Sequence, residues 1–350
     1  MCHLVSQSPE LTKEPGNAIR PPPYHPPRLF PEKIKQSHPL KIYQLESYLY
    51  FSVIIAPMIL QYCSDLHLEF PDNRHFLAAR PLLPRARILL LAGDIVPFSE
   101  LPARAAFFDA LSANFRRIYW IPGNHEYYGS DASKRSGSFV EAIRPNLYLL
   151  NNTVIEEGDV RLIFSTLWTH ITPRFESEIE NGLNDFHVIR YGNRRLRAAD
   201  VNRLHAESLA FLKGELAPPE TATGATGTAT GATGTAATIA AAAGQATTST
   251  AATPTTTTPT TPRKTVVITH HVPTLFHYPD VYRGSVLNEA FAVELHPLIH
   301  DSGVSHWIFG HHHFNIADFK IGSTTLTTNQ LGYVKNNEQR GFGPDRTIEV

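Results

Sequence analysis

Histidine, aspartate and asparagine side chains recur in five short stretches of this 350-residue chain, and each stretch directly follows a run of apolar residues. These residue types bind metal ions or carry protons. A single Asp, Asn or His after a strand is usually a turn or capping residue, but five such stretches in succession indicate one site. The five stretches are Asp65-Leu66-His67, Gly93-Asp94, Asn124-His125-Glu126, His270-His271 and His311-His312-His313.

The apolar runs in front of these stretches predict the strands that position them. Pro122 and Gly123, for example, end one run and turn the chain into the loop that carries Asn124. In open α/β sheets, ligands bind at loops that follow the carboxyl ends of strands, so we expect these side chains to meet at one edge. The predicted strands in front of the five stretches are Ile59 to Cys63, Ile88 to Leu91, Ile118 to Ile121, Thr265 to Thr269 and His306 to Phe309, and a sixth strand is predicted over Val160 to Ser165.

Helical periodicity appears in two stretches between the strands, which together with them predicts an α/β domain of about 250 residues, enough for a sizeable core. The first helix is predicted over Leu196 to Leu216. A second is predicted to kink at Pro297 and to end at Gly303. The apolar faces consist of Val201, Leu204, Leu209 and Leu212 in the first helix, and of Phe291, Leu295, Leu298 and Ile299 in the second.

The ligand chemistry of the five stretches favours particular metals. Imidazoles, carboxylates and one amide oxygen form a borderline set that suits Mn, Fe or Zn better than the all-oxygen sites of Ca or Mg. Seven ligands drawn from these five stretches are too many for one tetrahedral ion. They fit two ions that share a bridging carboxylate, at a separation of about 3.5–4 Å as in two-metal hydrolases.

In this order, the five stretches resemble the five motifs of the calcineurin-like metallophosphoesterases. The resemblance extends from about Met58 to Tyr333 and implies a four-layer α/β/β/α sandwich of two mixed sheets, with a two-metal site at the strand ends. It also implies the ligands. Asp65, His67 and His313 would hold one ion, Asn124, His270 and His311 would hold the other, and Asp94 would bridge them.

The same resemblance gives His125 a different role from its neighbour Asn124. His125 matches the family's non-ligand histidine, which faces the scissile ester and assists the leaving group. The choice of His270 over His271 as a ligand follows the family pattern of a ligand followed shortly by a proline, here Pro273. His312 and Glu126 are expected to be neighbours of the ligands rather than ligands.

These implications predict an enzyme that hydrolyses phosphate mono- or diesters, by in-line attack of a metal-bridging hydroxide with His125 as general acid. The chain reads Ile95-Val96-Pro97 after Asp94, without the second Asp and the Arg-Gly of the Ser/Thr protein phosphatases, so that alternative is less favoured. A nuclease would need a basic groove. A non-catalytic interaction scaffold on the same fold would be expected to lack some of the ligands.

Two segments are predicted to lie outside the folded core of the domain, which is assigned to residues 51–350. Residues 1–50 are predicted to form a disordered Pro-rich arm, with nine prolines in the first 40 residues and no secretory signal pattern. Residues 218–262 consist almost entirely of Thr, Ala, Gly and Pro, and we predict a disordered insertion there. A chain that starts at Met58 would retain every predicted site residue.

Composition and net charge limit the kinds of molecule that this chain is expected to bind. A net charge of −1 gives no electrostatic signature for nucleic acid, so phosphate recognition is expected to be local. The uncharged stretch from residue 47 to 64 raises a membrane anchor as an alternative, but its end leads into Asp65, which argues against that location. Two cysteines, Cys2 and Cys63, are expected not to pair, which favours a cytoplasmic protein. Two interpretations stay open for Trp168 and for His170. Both residues would line the substrate pocket, or Trp168 is packed in the core and His170 lies on the surface.

Overall fold

The computed structural model describes residues 57–217 and 263–350. The predicted Pro-rich arm (1–50) and Thr/Ala/Gly insertion (218–262) lie outside these described residues, and both stay predictions. Fourteen strands and six α-helices are present in the described part of the chain. The strands are β1 (Ile59–Cys63), β2 (Ile88–Ala92), β3 (Arg117–Ile121), β4 (Phe139–Arg144), β5 (Leu147–Asn151), β6 (Thr153–Glu157), β7 (Val160–Ser165), β8 (Arg190–Tyr191), β9 (Arg194–Arg195), β10 (Lys264–Thr269), β11 (His306–Phe309), β12 (Phe319–Ile321), β13 (Thr324–Thr328) and β14 (Thr347–Glu349).

Six helices connect these strands, and most of them follow a strand of one of the two large sheets. They are α1 (Pro71–Ala79), α2 (Ala105–Asn114), α3 (Glu176–Gly182), α4 (Asp185–Val188), α5 (Ala198–Leu216) and α6 (His296–Ser302). No helix among the described residues combines the length and apolar character that crossing a bilayer requires. The end of the uncharged stretch 47–64 forms strand β1.

Two six-stranded mixed sheets form the framework. The first has the order β14-β1-β2-β3-β5-β4 and the second has the order β12-β13-β11-β10-β7-β6. The central strands β1, β2, β3 and β5 are parallel to one another, as are β7, β10, β11 and β13. The antiparallel pairings lie at the outer positions of each sheet. Strands β8 and β9 form a separate short ribbon.

Alternation along the strands explains how the two sheets stack. In β2, Leu90 points into a core that also contains Phe164 of β7 and Ile268 of β10, so this core lies between the sheets. Its neighbour Leu91 belongs to a second core with Phe108 of α2. Because successive side chains of a strand point to opposite faces, each sheet has an inner and an outer apolar face.

The outer face of the second sheet has its own core. Val267 and Trp307 of its central strands pack there with Leu212 of α5 and Ile299 of α6. Helices therefore cover both outer faces, and the layers run helix, sheet, sheet, helix. The predicted α/β fold with two mixed sheets is confirmed.

The second predicted helix is partly wrong in its extent. It begins at His296, so Pro297 lies in its first turn and causes no kink. Proline is tolerated there because the first N–H groups of a helix have no intrahelical acceptor. Phe291 instead follows a short 3₁₀ segment, Val286–Ala290. The predicted end is correct, since Gly303 has φ 64° and caps the helix in the left-handed conformation.

Candidate functional site

The predicted ligand stretches converge at the carboxyl ends of five parallel strands. β1, β2 and β3 are neighbours in the first sheet, while β10 and β11 are neighbours in the second. The His270 ring joins the two sheets directly, because its Nδ1 lies 2.9 Å from the Ala92 carbonyl oxygen at the end of β2. Side chains that are up to 248 residues apart in sequence, from Asp65 to His313, thereby meet in one place.

Three groups of acidic and histidine side chains in the described residues are arranged so that each could hold a metal ion. Within a group, one potential ligand atom of every residue lies within 4.8 Å of those of the others. Asp94 belongs to two of the groups, and those two contain six of the seven predicted ligands. The groups are Asp65, His67, Asp94 and His313; Asp94, His270 and His311; and His67, Glu69 and His125.

Asp94 lies between the first two groups and presents one oxygen to each. Its Oδ2 is 3.7 Å from His67 Nε2, and its Oδ1 is 3.5 Å from His270 Nε2. The side chain is only 1% exposed. A carboxylate in this position can contribute one oxygen to each of two ions.

Asn124, the seventh predicted ligand, lies beside the second group. Its Oδ1 is 3.3 Å from His270 Nε2. The amide is held in this orientation from behind, because its Nδ2 donates to Asp185 Oδ1 at 3.0 Å, and the Tyr128 hydroxyl donates to the same oxygen at 2.7 Å. Asp185 therefore keeps the carbonyl oxygen of Asn124 directed towards the site.

The imidazoles are oriented by hydrogen bonds at the nitrogen that faces away from the centre. His270 Nδ1 lies 2.9 Å from the Ala92 carbonyl oxygen, and His313 Nδ1 lies 2.7 Å from Glu338 Oε2. Donation from Nδ1 leaves the Nε2 lone pair free. Histidines that bind metals almost always donate their other ring N–H to a carbonyl or carboxylate in this way.

Glu69 makes the corresponding contact to two histidines at once. Its Oε1 lies 3.0 Å from His67 Nδ1 and 2.9 Å from His125 Nδ1. The other oxygen, Oε2, is buried and has no hydrogen-bond partner among the described residues. One carboxylate thus fixes the rings of a predicted ligand and of the predicted general acid.

His125 faces the cavity beside the ligands. Its Nε2 is 3.1 Å from the Tyr333 hydroxyl, and its ring stacks on Tyr128 with centroids 4.0 Å apart. With Nδ1 bonded to Glu69, Nε2 is the nitrogen that is available to a substrate. This position differs from that of its neighbour Asn124, whose oxygen faces His270.

Backbone strain is concentrated at these residues. Nine non-glycine residues in the described part of the chain have φ in the left-handed region, and five of them are predicted metal ligands. L-residues in this region cost about 1–3 kcal/mol each and persist where the surroundings impose them, often at functional sites. The five are Asp65 (57°), His67 (45°), Asp94 (55°), His311 (80°) and His313 (51°).

Two glycines leave the space that the site needs. A Cβ at Gly123 would lie 2.6 Å from His270 Nε2, and a Cβ at Gly310 would lie 2.6 Å from Asp65 Oδ2. Any larger residue would displace a candidate ligand. The Gly residues in the motifs are therefore required by the close approach of backbone and ligands.

The site fits a pair of cations. Imidazole nitrogens face each other at short range, His67 Nε2 to His313 Nε2 at 2.9 Å and His270 Nε2 to His311 Nδ1 at 3.1 Å. The buried Nε2 of His311 has no partner among the described residues. Facing lone pairs, together with two buried carboxylates, form a donor set that suits metal ions such as Mn, Fe or Zn.

Electrostatic interactions favour a charged carboxylate at the centre. Burial opposes ionisation of Asp94, but the imidazoles of His270 and His125 outweigh it and hold the Asp94 pKa well below its usual range. Burial likewise disfavours a charged His270, yet Asp94 outweighs it and raises the His270 pKa to about 9. Burial dominates at two other histidines and lowers the pKa of His271 to about 3 and that of His312 to about 4.

His271, His312 and Glu126 lie next to the candidate ligands, and each of them has hydrogen-bond partners outside the candidate ligand groups. His271 Nδ1 contacts the Thr166 carbonyl oxygen at 3.1 Å, and His312 Nδ1 contacts the Gln330 side chain. Glu126 is fully buried and accepts hydrogen bonds from four N–H groups that fix the neighbouring loops. The donors are the backbone N–H groups of Asp94, Ile95 and Gly123 and the indole N–H of Trp120.

Trp168 and His170 do not line the cavity at the metal ligands. Trp168 is 3% exposed and packs against Tyr127 and His271, so it supports the site from behind. His170 is exposed. Of the two interpretations weighed for each residue, the packed Trp and the surface His are correct.

Four residues that orient the site were not identified from sequence as parts of it, namely Glu69, Asp185, Tyr333 and Glu338. Glu69 had a detectable signal in the sequence, because Asp65, His67 and Glu69 alternate with leucines, a spacing that would place three ligand-type side chains on one side of an extended segment. Asp185 lies between the third and fourth ligand stretches, in a segment without a ligand pattern of its own. Tyr333 and Glu338 follow the last motif in a loop without any local pattern.

A cavity of about 390 Å³ opens over the ligands. Asp94, Asn124, His311 and His313 line its floor, together with His125. Its walls come from the segment around Leu183 and from residues 278–291. The candidate metal ligands are thus accessible from one side.

Comparison with known proteins agrees with this geometry. A family model described as calcineurin-like phosphoesterase matches residues 62–220. This range contains the first three motifs. An uncharacterized protein of Acanthamoeba polyphaga mimivirus is 26% identical over 318 residues, which represent 83% of this chain and 96% of the viral protein.

One solved structure shares the architecture of this chain. A phosphopantetheinyl hydrolase from Mycobacterium tuberculosis aligns with a TM-score of 0.52 and 14% identity, over 84% of this chain and 96% of that chain. At this identity the likeness shows the fold alone. A dimetal phosphatase from Danio rerio aligns with a TM-score of 0.34 and 11% identity, over 79% of this chain and 88% of its own. The family model that matches residues 62–220 is thus that of the family whose five motifs this chain resembles, and those motifs meet at the sheet edge.

Proposed function

We propose that this protein is a hydrolase of phosphate mono- or diesters that depends on two metal ions. The reaction would be an in-line displacement, in which a water-derived nucleophile attacks phosphorus opposite the leaving oxygen. The position of Asp94 carries the proposal, because its two oxygens face the two separate sets of imidazoles at 3.7 and 3.5 Å. This arrangement favours a bridged pair of ions over a single ion.

The residues would divide between the two ions as the motifs suggest. Asp65, His67 and His313 would hold one ion, and Asn124, His270 and His311 would hold the other, with Asp94 shared. Mn, Fe or Zn would suit these donors. When bound, such ions polarise the phosphoryl group and lower the pKa of water to near neutrality.

His125 would donate the proton that the leaving oxygen requires. Its Nδ1 is bonded to Glu69, and its Nε2 faces the cavity 3.1 Å from the Tyr333 hydroxyl. Burial lowers the pKa of His125, but the nearby carboxylates of Asp94 and Glu69 outweigh it and raise the pKa. Stacking on Tyr128 keeps the ring from rotating away.

The neighbouring groups hold these residues in place. Glu69, Asp185 and Glu338 each accept a hydrogen bond from a residue of the proposed machinery, at distances between 2.7 and 3.0 Å. Preorganised groups of this kind do not need to reorganise during the reaction, which is a large part of enzymatic rate enhancement.

The test is metal-dependent hydrolysis by the purified full chain. The metal-depleted protein would be supplied with Mn and assayed on panels of phosphomonoesters and phosphodiesters, in parallel with elemental analysis. We expect about two ions per chain and hydrolysis that a chelator abolishes. Binding of fewer than two ions, or hydrolysis that persists after metal removal, would contradict the proposal.

The experiment must also distinguish a hydrolase from a non-catalytic scaffold on the same fold. A scaffold has no need for a proton donor held beside the metals or for an open cavity over them. If two ions bind and no ester of either panel is hydrolysed, the scaffold becomes the better interpretation.

A further inference from the structure

The cavity extends beyond the residues that would handle the phosphoryl group. Its floor consists of the candidate ligands, but one wall is formed by Leu183, Leu287 and Phe291, together with Tyr278 and Tyr282. Phe291 stacks on the ring of His311, with centroids 4.6 Å apart. Three of these five side chains are aromatic, and the other two are leucines.

No Lys or Arg lines this cavity within the described residues. The polar groups on its walls and rim are uncharged, such as Asn184, Ser285 and Asn288, or acidic, namely Asp185 and Glu338. Asp185 already accepts a hydrogen bond from Asn124, and Glu338 accepts one from His313. Beyond the metals, an anionic group on a ligand would therefore meet apolar surface, neutral polar groups or like charge, but no Lys or Arg of the cavity lining.

The position of the proposed proton donor, His125, indicates which part of a substrate would lie against the apolar wall. His125 and Tyr333 both line the cavity, with His125 Nε2 and the Tyr333 hydroxyl 3.1 Å apart. A leaving oxygen must come within hydrogen-bond reach of His125 to receive its proton. The organic group attached to that oxygen then extends into the rest of the cavity.

We propose that the wall formed by Leu183, Leu287, Phe291, Tyr278 and Tyr282 is a leaving-group subsite for an apolar or aromatic group without negative charge. This inference rests on the proposed phosphoesterase function. The subsite would accept a neutral aryl or alkyl group by burying apolar surface and stacking on the tyrosines. It would disfavour substrates with a second phosphate or a carboxylate, since the wall offers no cation to pair with them.

The first test compares two nearly isosteric ligands. The Mn-loaded full chain would be titrated with (4-carbamoylbenzyl)phosphonate and (4-carboxybenzyl)phosphonate, which carry the same phosphoryl mimic and cannot be hydrolysed. We expect the neutral carboxamide to bind about tenfold more tightly, since placing a carboxylate beside like charge in a partly enclosed site is unfavourable. The corresponding 4-carbamoylphenyl and 4-carboxyphenyl phosphates would be compared by kcat/KM, with the same expected preference.

The second test asks whether one positive charge on the cavity wall reduces the preference for the neutral phosphonate. Leu287→Lys places an ammonium group on the cavity wall, and the preference for the neutral ligand is expected to fall to about threefold or less. Val281→Lys is the matched control, because Val281 lies nearby on the same segment, is 75% exposed and does not line the cavity. If Leu287→Lys does not fold, Tyr282→Lys gives the same comparison at a more exposed wall position.

The outcomes separate this inference from the function on which it rests. Equal binding of the two phosphonates, tighter binding of the carboxylate, or equal shifts from Leu287→Lys and Val281→Lys would overturn the subsite. If neither aryl phosphate is hydrolysed while the neutral phosphonate still binds more tightly, the selectivity of the wall for neutral groups stands, and the hydrolase proposal fails together with the leaving-group role.

Discussion

Replacing Glu69 tests whether one carboxylate supports both metal binding and proton donation. Glu69 Oε1 lies 3.0 Å from His67 Nδ1 and 2.9 Å from His125 Nδ1. Glu69→Gln keeps the length of the side chain and removes its charge, so both hydrogen bonds become neutral. Glu69→Ala removes both bonds and leaves two buried N–H groups without an acceptor.

The expected magnitudes follow from these two contacts. A hydrogen bond to a charged group contributes about 1.5–3 kcal/mol and a neutral one about 1 kcal/mol, so Glu69→Gln loses about 1 kcal/mol at each imidazole. With about 1.4 kcal/mol per factor of ten, this predicts roughly fivefold weaker metal binding at the His67 ion and a similar loss of rate through His125. For Glu69→Ala, we expect metal affinity to fall by about 10- to 100-fold, as for other residues that orient a ligand histidine.

The assay measures metal affinity and rate separately. Each variant would be titrated with Mn by calorimetry, and kcat would be determined at saturating Mn on one alkyl and one p-nitrophenyl ester. The loss through His125 is expected to be larger on the alkyl ester, whose leaving group needs the proton. Glu156→Gln is the control, because Glu156 is a 45% exposed carboxylate that contacts Arg161 at 3.8 Å and Arg263 at 3.1 Å, on the edge strand β6, which precedes none of the candidate ligands.

Two results would refute this reasoning. If Glu69→Ala bound Mn as tightly as the wild type, Glu69 would not orient His67. If Glu69→Ala lost the same factor on both esters at saturating Mn, its contact with His125 would not serve proton donation. A lower melting temperature alone would indicate only a structural contribution.

Other variants test the remaining assignments. Asp94→Ala is expected to lose both bound metal and hydrolysis, and elemental analysis that finds full metal in an inactive variant would contradict the bridging role. His125→Asn is expected to keep both metals and to lose about 10²- to 10⁴-fold in rate on alkyl esters, with a much smaller loss on p-nitrophenyl esters; equal losses would exclude proton donation. Asn124→Ala is expected to weaken one metal and to slow every substrate similarly, which metal analysis beside the same two esters would check. Joining Pro218 to Arg263 by a short linker is expected to leave activity and melting temperature nearly unchanged, since loop closure changes by only about 0.6 kcal/mol per doubling of length; a large fall in melting temperature would show that residues 218–262 pack on the domain.

The strands and the ligand stretches were predictable from sequence because their signals are local. The run from Ile88 to Leu91 is continuously apolar, and it forms a central strand that is buried on both faces. Pro122 and Gly123 end the next strand and place Asn124 in a loop. Parallel strands present their carboxyl ends at one edge of a sheet. The position of each ligand stretch directly after a predicted strand was therefore enough to predict that these side chains would meet.

Local signals were less reliable where a helix begins. The apolar spacing from Phe291 onwards resembles one long helix, but the chain forms a short 3₁₀ segment first and α6 starts at His296. Phe291 instead packs on the ring of His311. The position of Phe291 is therefore explained by its contact with His311 and not by the helical spacing of the apolar residues.

Only the tertiary structure could identify the residues that hold the candidate ligands in place. Tyr333 and Glu338 reach His125 and His313 from a loop with no periodic pattern, and Asp185 reaches Asn124 across 61 residues of sequence. Each of these contacts depends on how the two sheets stack and where the connecting loops cross the sheet edge. The sequence by itself therefore determined the fold class and which chemical groups are present. The packing of the sheets and loops decided how those groups are oriented, because a hydrogen bond between distant segments leaves no periodic trace in either segment.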